Sequence, residues 1–360
     1  MTRAKVAVVG AGHLGRIHAR LLKTLPDAEL VGVVDVDPRA REAARQELNV
    51  PVHADPARVI SLADAAIIAT PTSTHCDMAL PWLKAGRHVL IEKPLALDST
   101  ESQRLVAAAE AHGRILQVGH VERFNPAFQR AAESMGIPMY LEMRRLGPNS
   151  FRSTDIGAVL DLMIHDIDLV LELVREHVVH VEGFTTTVFG GHEDLARARI
   201  EFANGAIAEL HASRCHSEPV RTMTAVDERA TYQIDLGAGR VEQLTARSHD
   251  PMDFERLSGL ERKHLQEKVY DTLLEKRLLE VPAANPILEE QREFLAAIRG
   301  QGTPRVSGQS ALYAIQIAER VLEDAEERRV KLAQFAHRSL VIPAGPLWDS
   351  ETRETTRKAG

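Results

Sequence analysis

Hydrophobic positions in the first third of the chain fall in short continuous runs separated by stretches with helical spacing. Five runs are typical of strands buried on both faces: 6–9, 30–34, 65–69, 89–91 and 115–118. Three stretches between them have the spacing of helices: 37–48, 75–85 and 99–112. Strands that alternate with helices predict an α/β fold with a parallel, doubly wound sheet.

Beyond residue 121 the pattern changes. An apolar segment near 156–175 predicts a helix, and three alternating runs then predict antiparallel strands: 179–189, 196–203 and 206–213. Asn204-Gly205, between the last two runs, is a strong hairpin signal. Helical stretches at 286–299 and 308–328 follow. We therefore expect three parts: a Rossmann domain over 1–121, an α+β domain with an open, mostly antiparallel sheet over 122–340, and a charged tail over 341–360.

Composition excludes several classes of protein. The formal net charge of -7 argues against a nucleic-acid partner, which requires a dominant positive field. Cys76 and Cys215 are far apart and predict neither a disulfide framework nor a thiolate metal site. No apolar run is long enough to span a bilayer, and the first is interrupted by Gly10, which argues against a signal peptide. We expect a cytoplasmic protein with no membrane partner.

Gly10-x-Gly12-x-x-Gly15 follows a predicted strand and opens a predicted helix. Asp35 ends the next strand, at the distance along the chain that a dinucleotide-binding unit requires. The glycines allow a tight turn and a close approach of the pyrophosphate to the helix N-terminus. Because a carboxylate at Asp35 accepts from ribose hydroxyls and repels a 2′-phosphate, we predict NAD rather than NADP as cofactor.

Lys93, in Glu92-Lys93-Pro94, follows a buried-type strand. It is expected at the carboxyl end of the sheet, where doubly wound folds bind ligands. There the lysine is suited to transfer a proton or to polarise a carbonyl, although an ordinary solvated loop lysine has the same sequence appearance.

Asp161, His165, Asp168 and Glu172 are spaced four, three and four residues apart, which predicts one polar stripe on an apolar helix. A solvated face would normally include basic residues, and this stripe has none before Arg175. We interpret the stripe as a site, with His165 taking a substrate proton at a pKa near neutral and Asp161 supporting it. The spacing also suits a metal pair, but no further histidine cluster accompanies it, and we predict no metal.

Three motifs together resemble the glucose-fructose oxidoreductase, inositol dehydrogenase and rhizopine-catabolism (Gfo/Idh/MocA) family: the glycine turn, Glu92-Lys93-Pro94 and Asp161-x-x-x-His165-x-x-Asp168. Further matching stretches are 69–75, 119–126 and 294–299, and the resemblance spans about residues 5–325. It implies that Lys93, Asp161 and His165 line the catalytic site, with His165 as base. It implies an open sheet in the second domain, through which members pair into homodimers or homotetramers.

The resemblance also implies cofactor contacts beyond the glycines and Asp35: His13, Leu14, Thr70, Pro71, Thr72, His75, Glu92 and Lys93. The chain departs from the commonest family pattern at two positions. Met163 stands where many members have glycine, and Thr72 where many have asparagine. Neither departure removes a titratable group.

The stretches 118–127 and 160–169 look like the branch of this family that oxidises the 3-hydroxyl of UDP-N-acetylglucosamine for cell-envelope amino-sugar synthesis. On this interpretation, five residues are expected to bind the substrate: His120, Arg123, Asn125, Arg144 and Arg152. The arginines, together with Arg145, could hold a diphosphate through paired hydrogen bonds. A merely solvated basic stretch explains them equally well.

We therefore expect hydride transfer from a sugar-ring carbinol to NAD. His165 would remove the hydroxyl proton, Lys93 would polarise the forming carbonyl, and Asp161 would orient His165. Oxidation of a free polyol such as an inositol, or reduction of a keto-sugar, remains an alternative. A non-catalytic dinucleotide sensor is a third, although a sensor has no need of Lys93, Asp161 and His165 together.

Overall fold

The computed structural model describes residues 3–151, 155–248 and 254–338. Within these ranges the chain forms two sheets with helices packed against them. Two sequence predictions lie outside the described residues: the substrate contact of Arg152 and the charged tail over 341–360.

The first sheet is parallel throughout. Its strands are Ala4–Val9 (β1), Ala28–Val34 (β2), Val52–His53 (β3), Ala65–Ile68 (β4), His88–Glu92 (β5) and Leu116–Gly119 (β6). Its helices are His13–Leu22 (α1), Pro38–Leu48 (α2), Ala57–Ile60 (α3), His75–Lys84 (α4) and Ser99–Ala111 (α5). The strand order β3-β2-β1-β4-β5-β6 confirms the doubly wound sheet. The sequence did not reveal β3 and α3, because elements this short show no periodicity.

The second sheet has eight strands among the described residues, and all its pairs except β7 with β10 are antiparallel. The strands are Tyr140–Pro148 (β7), Val178–Thr186 (β8), Leu195–Phe202 (β9), Ile207–Ser213 (β10), Cys215–Val226 (β11), Ala230–Asp235 (β12), Arg240–Ala246 (β13) and Leu274–Leu279 (β14). Their order is β14-β13-β12-β11-β7-β10-β9-β8. The predicted hairpin is present, with Gly205 at φ +86° between β9 and β10.

The predicted strands account for only three of these eight. The pattern on β7 was hidden because Arg145 occupies a buried position of that strand, in line with Leu141 and Met143. Period-two alternation is read from apolar residues, so a buried, ion-paired arginine interrupts it.

The remaining helices are Pro126–Ser134 (α6), Ile164–Val174 (α7), Gly259–Glu267 (α8), Val269–Thr272 (α9), Pro286–Ile298 (α10) and Gly308–Arg338 (α11). The single helix predicted near 156–175 is divided, because a π-helical turn at Val159–Met163 precedes α7. Phe294 and Leu295 of α10 return to the first sheet and share a core with Val6 and Val8.

One face of the second sheet carries α7, and the opposite face exposes charged side chains such as Glu142 and Arg144. Pairing of subunits through that open face remains a prediction, as does a domain boundary at residue 121. No helix in the described ranges combines the length and apolar character that crossing a bilayer requires.

Candidate active site

The glycine turn after β1 is tight on its inner side and open on its outer side. Gly10 has φ +99°, and a Cβ on Gly15 would lie 1.9 Å from the carbonyl oxygen of Gly10. A Cβ on Gly12 would meet no atom within 4 Å. Gly10 and Gly15 are therefore required by the fold itself, whereas Gly12 leaves the backbone open to a ligand.

Helix α1 begins with uncapped backbone N–H groups. No side chain caps the helix at Gly12, and its first turn has no acidic residue. His13 and Leu14 in that turn are exposed. Uncapped N–H groups at a helix N-terminus attract an anion, so the turn fits the pyrophosphate of a dinucleotide.

Asp35, directly after β2, is held beside this turn. One carboxylate oxygen accepts a hydrogen bond from the backbone N–H of Ala11 at 2.7 Å, and the other accepts from that of Asp37 at 2.8 Å. The two bonds keep a negative charge next to the glycine turn, in agreement with the predicted preference for ribose hydroxyls over a 2′-phosphate.

His75 ties two loops together and is 1% exposed. Its Nδ1 lies 2.8 Å from the carbonyl oxygen of Pro94, and its Nε2 lies 3.0 Å from that of Thr70. Burial lowers the pKa of His75. Because both ring nitrogens face backbone, the structure corrects the predicted cofactor contact of this side chain. His75 instead holds the loop of Thr70, Pro71 and Thr72, whose cofactor contacts remain predictions.

Glu92 points into the interior. Its Oε1 accepts a hydrogen bond from Nε2 of His18 at 2.6 Å, and Nδ1 of His18 accepts from the side-chain amide of Gln291 at 2.8 Å. Burial alone would raise the pKa of Glu92, but the bond from His18 keeps it below its ordinary value. The predicted cofactor contact of Glu92 is corrected, because Glu92 is 8% exposed and its carboxylate binds His18, whereas Lys93, just after the strand, reaches Asp161.

A third titratable group, Glu290, lies beside this pair. Ligand atoms of His18, Glu92 and Glu290 are all within 4.8 Å of one another, which is a possible metal geometry. The hydrogen bond between His18 and Glu92 already uses two of these atoms. Burial raises the pKa of Glu290 well above its ordinary value, which favours the neutral acid. The expectation of no metal remains a prediction.

Lys93 joins the first sheet to the segment before α7. Its Nζ donates to the backbone carbonyl of Asp161 at 2.6 Å and to Oδ1 of the same residue at 3.0 Å. The side chains are 17% and 15% exposed, so the pair lies at a surface that a substrate can reach. Two residues that the sequence singled out independently are therefore neighbours in space.

His165 lies in the first turn of α7, just after the π-helical turn. Hydrogen bonds in a π turn span five residues, and the turn that contains Asp161 ends at Met163, before His165. Asp161 binds Lys93, and Nδ1 of His165 has no hydrogen-bond partner in the described part of the chain. The structure thus joins Asp161 to Lys93, and the orientation of His165 by Asp161 stays a prediction.

The expected pKa of His165 is corrected as well. Burial lowers the pKa well below its ordinary value, and the positive charges of Lys93 and Arg145 lower it further. The ring is consequently neutral and can accept a proton.

The other two residues of the predicted stripe form an ion-pair network. Arg123 donates to both carboxylate oxygens of Asp168, at 2.6 and 2.9 Å, and also to Glu172. Arg123 and Asp168 are 5% and 1% exposed. Since two carboxylates already bind this guanidinium, the predicted substrate contact of Arg123 is corrected. Only the Asp161 and His165 half of the stripe faces the site.

A second network binds β7 to α7. Arg145 donates to Asp166 at 2.7 Å and to Glu122 at 2.8 Å. Burial opposes the charge of Arg145, but the two carboxylates raise its pKa above the ordinary value. Arg144, the preceding residue, points to the open face of the sheet beside Glu142. Strand alternation therefore corrects its predicted role in substrate binding.

Asn125 has a structural role. Its Oδ1 accepts from the backbone N–H of Ala127 at 3.0 Å and caps α6. Its Nδ2 donates to Glu122 at 2.9 Å and to the carbonyl oxygen of Leu236 at 3.0 Å. The predicted substrate contact of Asn125 is corrected, because both ends of its side chain are used within the fold.

Two more residues lie near His165. His120 is 1% exposed, and its ring stands edge-on to that of His165 with centroids 6.1 Å apart, so it lies beneath the site surface. Arg221 on β11, which the sequence analysis missed, lies opposite Arg145 in the register and therefore on the same sheet face. Its side chain is 58% exposed, and its Nη1 is 4.0 Å from Glu122. Only the pairing of β7 with β11 reveals this arginine.

Known proteins match the chain in both halves. Residues 4–120 match an oxidoreductase family with an NAD-binding Rossmann fold, and residues 131–233 match the GFO/IDH/MocA C-terminal domain. The chain belongs to this family. This confirms the family expected from the motifs. As a GFO/IDH/MocA protein, the chain is a nicotinamide-dependent dehydrogenase that acts on CH–OH groups.

Several GFO/IDH/MocA relatives are similar over much of their length. UDP-N-acetylglucosamine 3-dehydrogenase from Acidithiobacillus ferrooxidans is 38% identical over 271 residues, which cover 72% of this chain and 86% of that protein. The scyllo-inositol 2-dehydrogenase (NAD(+)) of Bacillus subtilis is 35% identical over 232 residues, which cover 59% and 68%. A solved structure of the A. ferrooxidans enzyme has a TM-score of 0.80 at 29% identity, covering 91% of this chain and 99% of that one.

Proposed function

We propose that this chain oxidises a ring hydroxyl of a nucleotide sugar, with the 3-hydroxyl of UDP-N-acetylglucosamine as the best candidate. The observation that carries the proposal is the Lys93–Asp161 pair beside His165, at the same sheet edge as the glycine turn. NAD bound at that turn would accept the hydride. Asp35, held by two backbone N–H groups, supports NAD over NADP.

The side chains divide the work of oxidation. His165 is neutral and takes the hydroxyl proton as the C–H bond breaks. The ammonium group of Lys93 stabilises the negative charge that develops on the substrate oxygen. Asp161 positions that ammonium group through its carboxylate and its backbone carbonyl.

The nucleotide-sugar class is supported by the A. ferrooxidans relative and by Arg221. Arg221 is exposed on the sheet face that carries His165, and a guanidinium group can bind a diphosphate through paired hydrogen bonds. Arg221 would make the diphosphate contact first expected of Arg123 and Arg144. Arg123 binds Asp168 instead, and Arg144 lies on the opposite face of the sheet.

A free polyol is the second candidate. The 35% identity to a Bacillus subtilis inositol dehydrogenase supports it, and the groups that would act on the hydroxyl are the same for both substrate classes. The presence of Lys93, Asp161 and His165 in one place disfavours the dinucleotide sensor.

The test is NADH formation by purified protein with UDP-N-acetylglucosamine, myo-inositol or glucose, with NADP as a parallel cofactor. An aminotransferase and glutamate remove any ketone. We expect turnover with NAD and the nucleotide sugar. Turnover with myo-inositol alone would show that the substrate is a free polyol rather than a nucleotide sugar, and absence of turnover with all three would reject both substrate classes as tested.

Two variants sharpen this assay. Arg221→Gln should raise KM for the nucleotide sugar about tenfold, as expected when a charged hydrogen-bond partner of the diphosphate is lost. Arg144→Gln is the matched control, because Arg144 lies on the opposite face of the same sheet. Equal KM values for both variants would remove Arg221 from the substrate site.

A further inference from the structure

The turn that carries Asp161 is held at its start by a residue from another part of the chain. The backbone N–H of Ala158 donates to the carbonyl oxygen of Glu193 at 2.9 Å, and that of Val159 donates to Oε1 of the same glutamate at 3.0 Å. Glu193 lies between β8 and β9, 34 residues beyond Val159. The first N–H groups of a helical turn have no partner within it, so Glu193 caps this turn from outside.

Gly157 leaves the room that this contact needs. A Cβ at Gly157 would lie 2.0 Å from both carboxylate oxygens of Glu193. The backbone of Gly157 is outside the left-handed region, so the close approach of Glu193, and not the backbone conformation, calls for glycine here. The carboxylate therefore occupies the space that a side chain at position 157 would fill.

Arg214, directly after β10, fixes the position of Glu193. Its Nη1 donates to the carbonyl oxygen of Ile156 at 3.1 Å, and its Nη2 donates to that of Glu193 at 3.0 Å. The same Nη2 lies 3.4 Å from Oδ1 of Asp194. Because one guanidinium group binds both the segment before the turn and the loop that caps it, the second sheet sets the distance between them.

The capped segment leads directly to the Lys93–Asp161 pair. The N–H of Asp161 donates to the carbonyl oxygen of Gly157 at 2.9 Å, so Asp161 lies one turn beyond the capped start. Asp161 then accepts from Nζ of Lys93 through its backbone carbonyl and its carboxylate. Hydrogen bonds therefore connect Glu193 to Lys93 through one short segment, and a shift of that segment would move the ammonium group.

We propose that Glu193 is a positioning residue, which places Asp161 and through it the ammonium group of Lys93 for hydride transfer. The inference rests on the proposed dehydrogenase function and deepens it. Glu193 acts through the segment 157–161 rather than on the substrate. Because a displacement of about 1 Å can cost about 100-fold in rate, loss of the cap should lower kcat more than it weakens binding.

The kinetic test compares Glu193→Ala with Glu193→Gln, which keeps a side-chain oxygen as acceptor, in the full-length protein with whichever substrate the wild type oxidises. For Glu193→Ala we expect kcat to fall about 10- to 100-fold, with KM for NAD within about twofold of wild type. Single-turnover measurements should assign this loss to hydride transfer. Glu193→Gln should keep more than about half of the wild-type kcat, because its oxygen can still cap the turn. Glu218→Ala, a change at an exposed glutamate on β11, is the matched control and should leave kcat unchanged.

Gly157→Ala tests the same contact from the other side. The added methyl group should displace the carboxylate of Glu193 and lower kcat in the same way. In Glu193→Ala that space is vacant, so adding Gly157→Ala should lower kcat by less than about a further twofold. Multiplicative losses in the double variant, or equal losses of kcat in Glu193→Ala and Glu193→Gln, would overturn the proposal.

A measurement without turnover separates this inference from the proposed function. Acetylation of lysines by an N-hydroxysuccinimide ester, followed by mass spectrometry, reports how firmly Nζ of Lys93 is held. We expect Lys93 to react several times faster in Glu193→Ala than in wild type or Glu193→Gln, with the exposed Lys84 as internal reference. Unchanged reactivity of Lys93 would overturn the positioning role, whereas absence of turnover in wild type would overturn the proposed function alone. If Glu193→Ala does not fold, Glu193→Asp, whose shorter side chain draws the carboxylate away from Val159, takes its place.

Discussion

The two halves of the polar stripe over residues 161–172 carry similar side chains at similar spacing, but they have opposite surroundings. Asp161 and His165 lie toward Lys93 at the site surface, and Nδ1 of His165 has no hydrogen-bond partner among the described residues. Asp168 and Glu172 bind Arg123, which is almost fully buried. A polar stripe on a helix therefore predicts that something polar faces it, and the partner decides whether the residues catalyse or stabilise.

Replacing His165 tests the site half most strongly. His165→Gln should lower kcat about 10²- to 10⁴-fold, because the general base is lost. The free energy of unfolding should change by less than about 1 kcal/mol, since Nδ1 of His165 loses no hydrogen bond within the part of the chain that the structure describes. Steady-state kinetics and urea denaturation measure the two effects. A variant that keeps more than about a tenth of wild-type kcat would remove His165 as base.

Breaking the ion pair between Asp168 and Arg123 should instead affect mainly the stability of the fold. Asp168→Ala should lower the free energy of unfolding by about 3–5 kcal/mol, because it leaves a buried guanidinium short of a partner. The double variant Asp168→Ala with Arg123→Met should be less destabilised than the sum of the single variants, and urea denaturation gives all three values. Strict additivity would mean that the pair is not coupled.

The pH dependence of kcat/KM tests the Asp161 and His165 half of the stripe, and we expect a smaller effect here than from the substitutions above. An imidazole with an ordinary pKa of about 6.5 would lose roughly three quarters of its neutral form at pH 6. Because burial lowers the pKa of His165, its neutral form should persist there, and kcat/KM at pH 6 should stay within about 20% of its value at pH 7.5. A pH–rate profile with an acid limb centred near 6.5 would contradict this prediction.

The same lowered pKa values affect stability. His165 and His120 are held neutral in the folded chain, whereas in the unfolded chain each binds a proton below its ordinary pKa. Their contribution to stability is therefore present above about pH 6.5 and is lost as the pH falls below it.

The smallest effect is expected at the outer end of the network. Glu172→Gln should cost less than about 1 kcal/mol of unfolding free energy, because its side chain is 33% exposed and Asp168 still binds Arg123. Thermal or urea unfolding checks this value. A loss above about 2 kcal/mol would show that stabilisation extends to the surface end of the stripe.

The sequence by itself determined the dinucleotide-binding part of this protein. The turn from Gly10 to Gly15 and the strand end at Asp35 depend on local backbone geometry, which residues close together in the sequence specify. The parallel sheet followed from the alternation of buried strands and helices for the same reason. The residues around Lys93, Asp161 and His165 were also found, because each stands in a short motif.

Only the tertiary structure decided what the long polar side chains contact. Arg123, Glu92, His75 and Asn125 bind partners within the fold, and Arg144 faces away from His165 because one step along a strand reverses the direction of the side chain. Arg221 came to the site side of its sheet through the register of β7 with β11. Ion pairs and strand registers join residues far apart in the chain, so no local pattern records them.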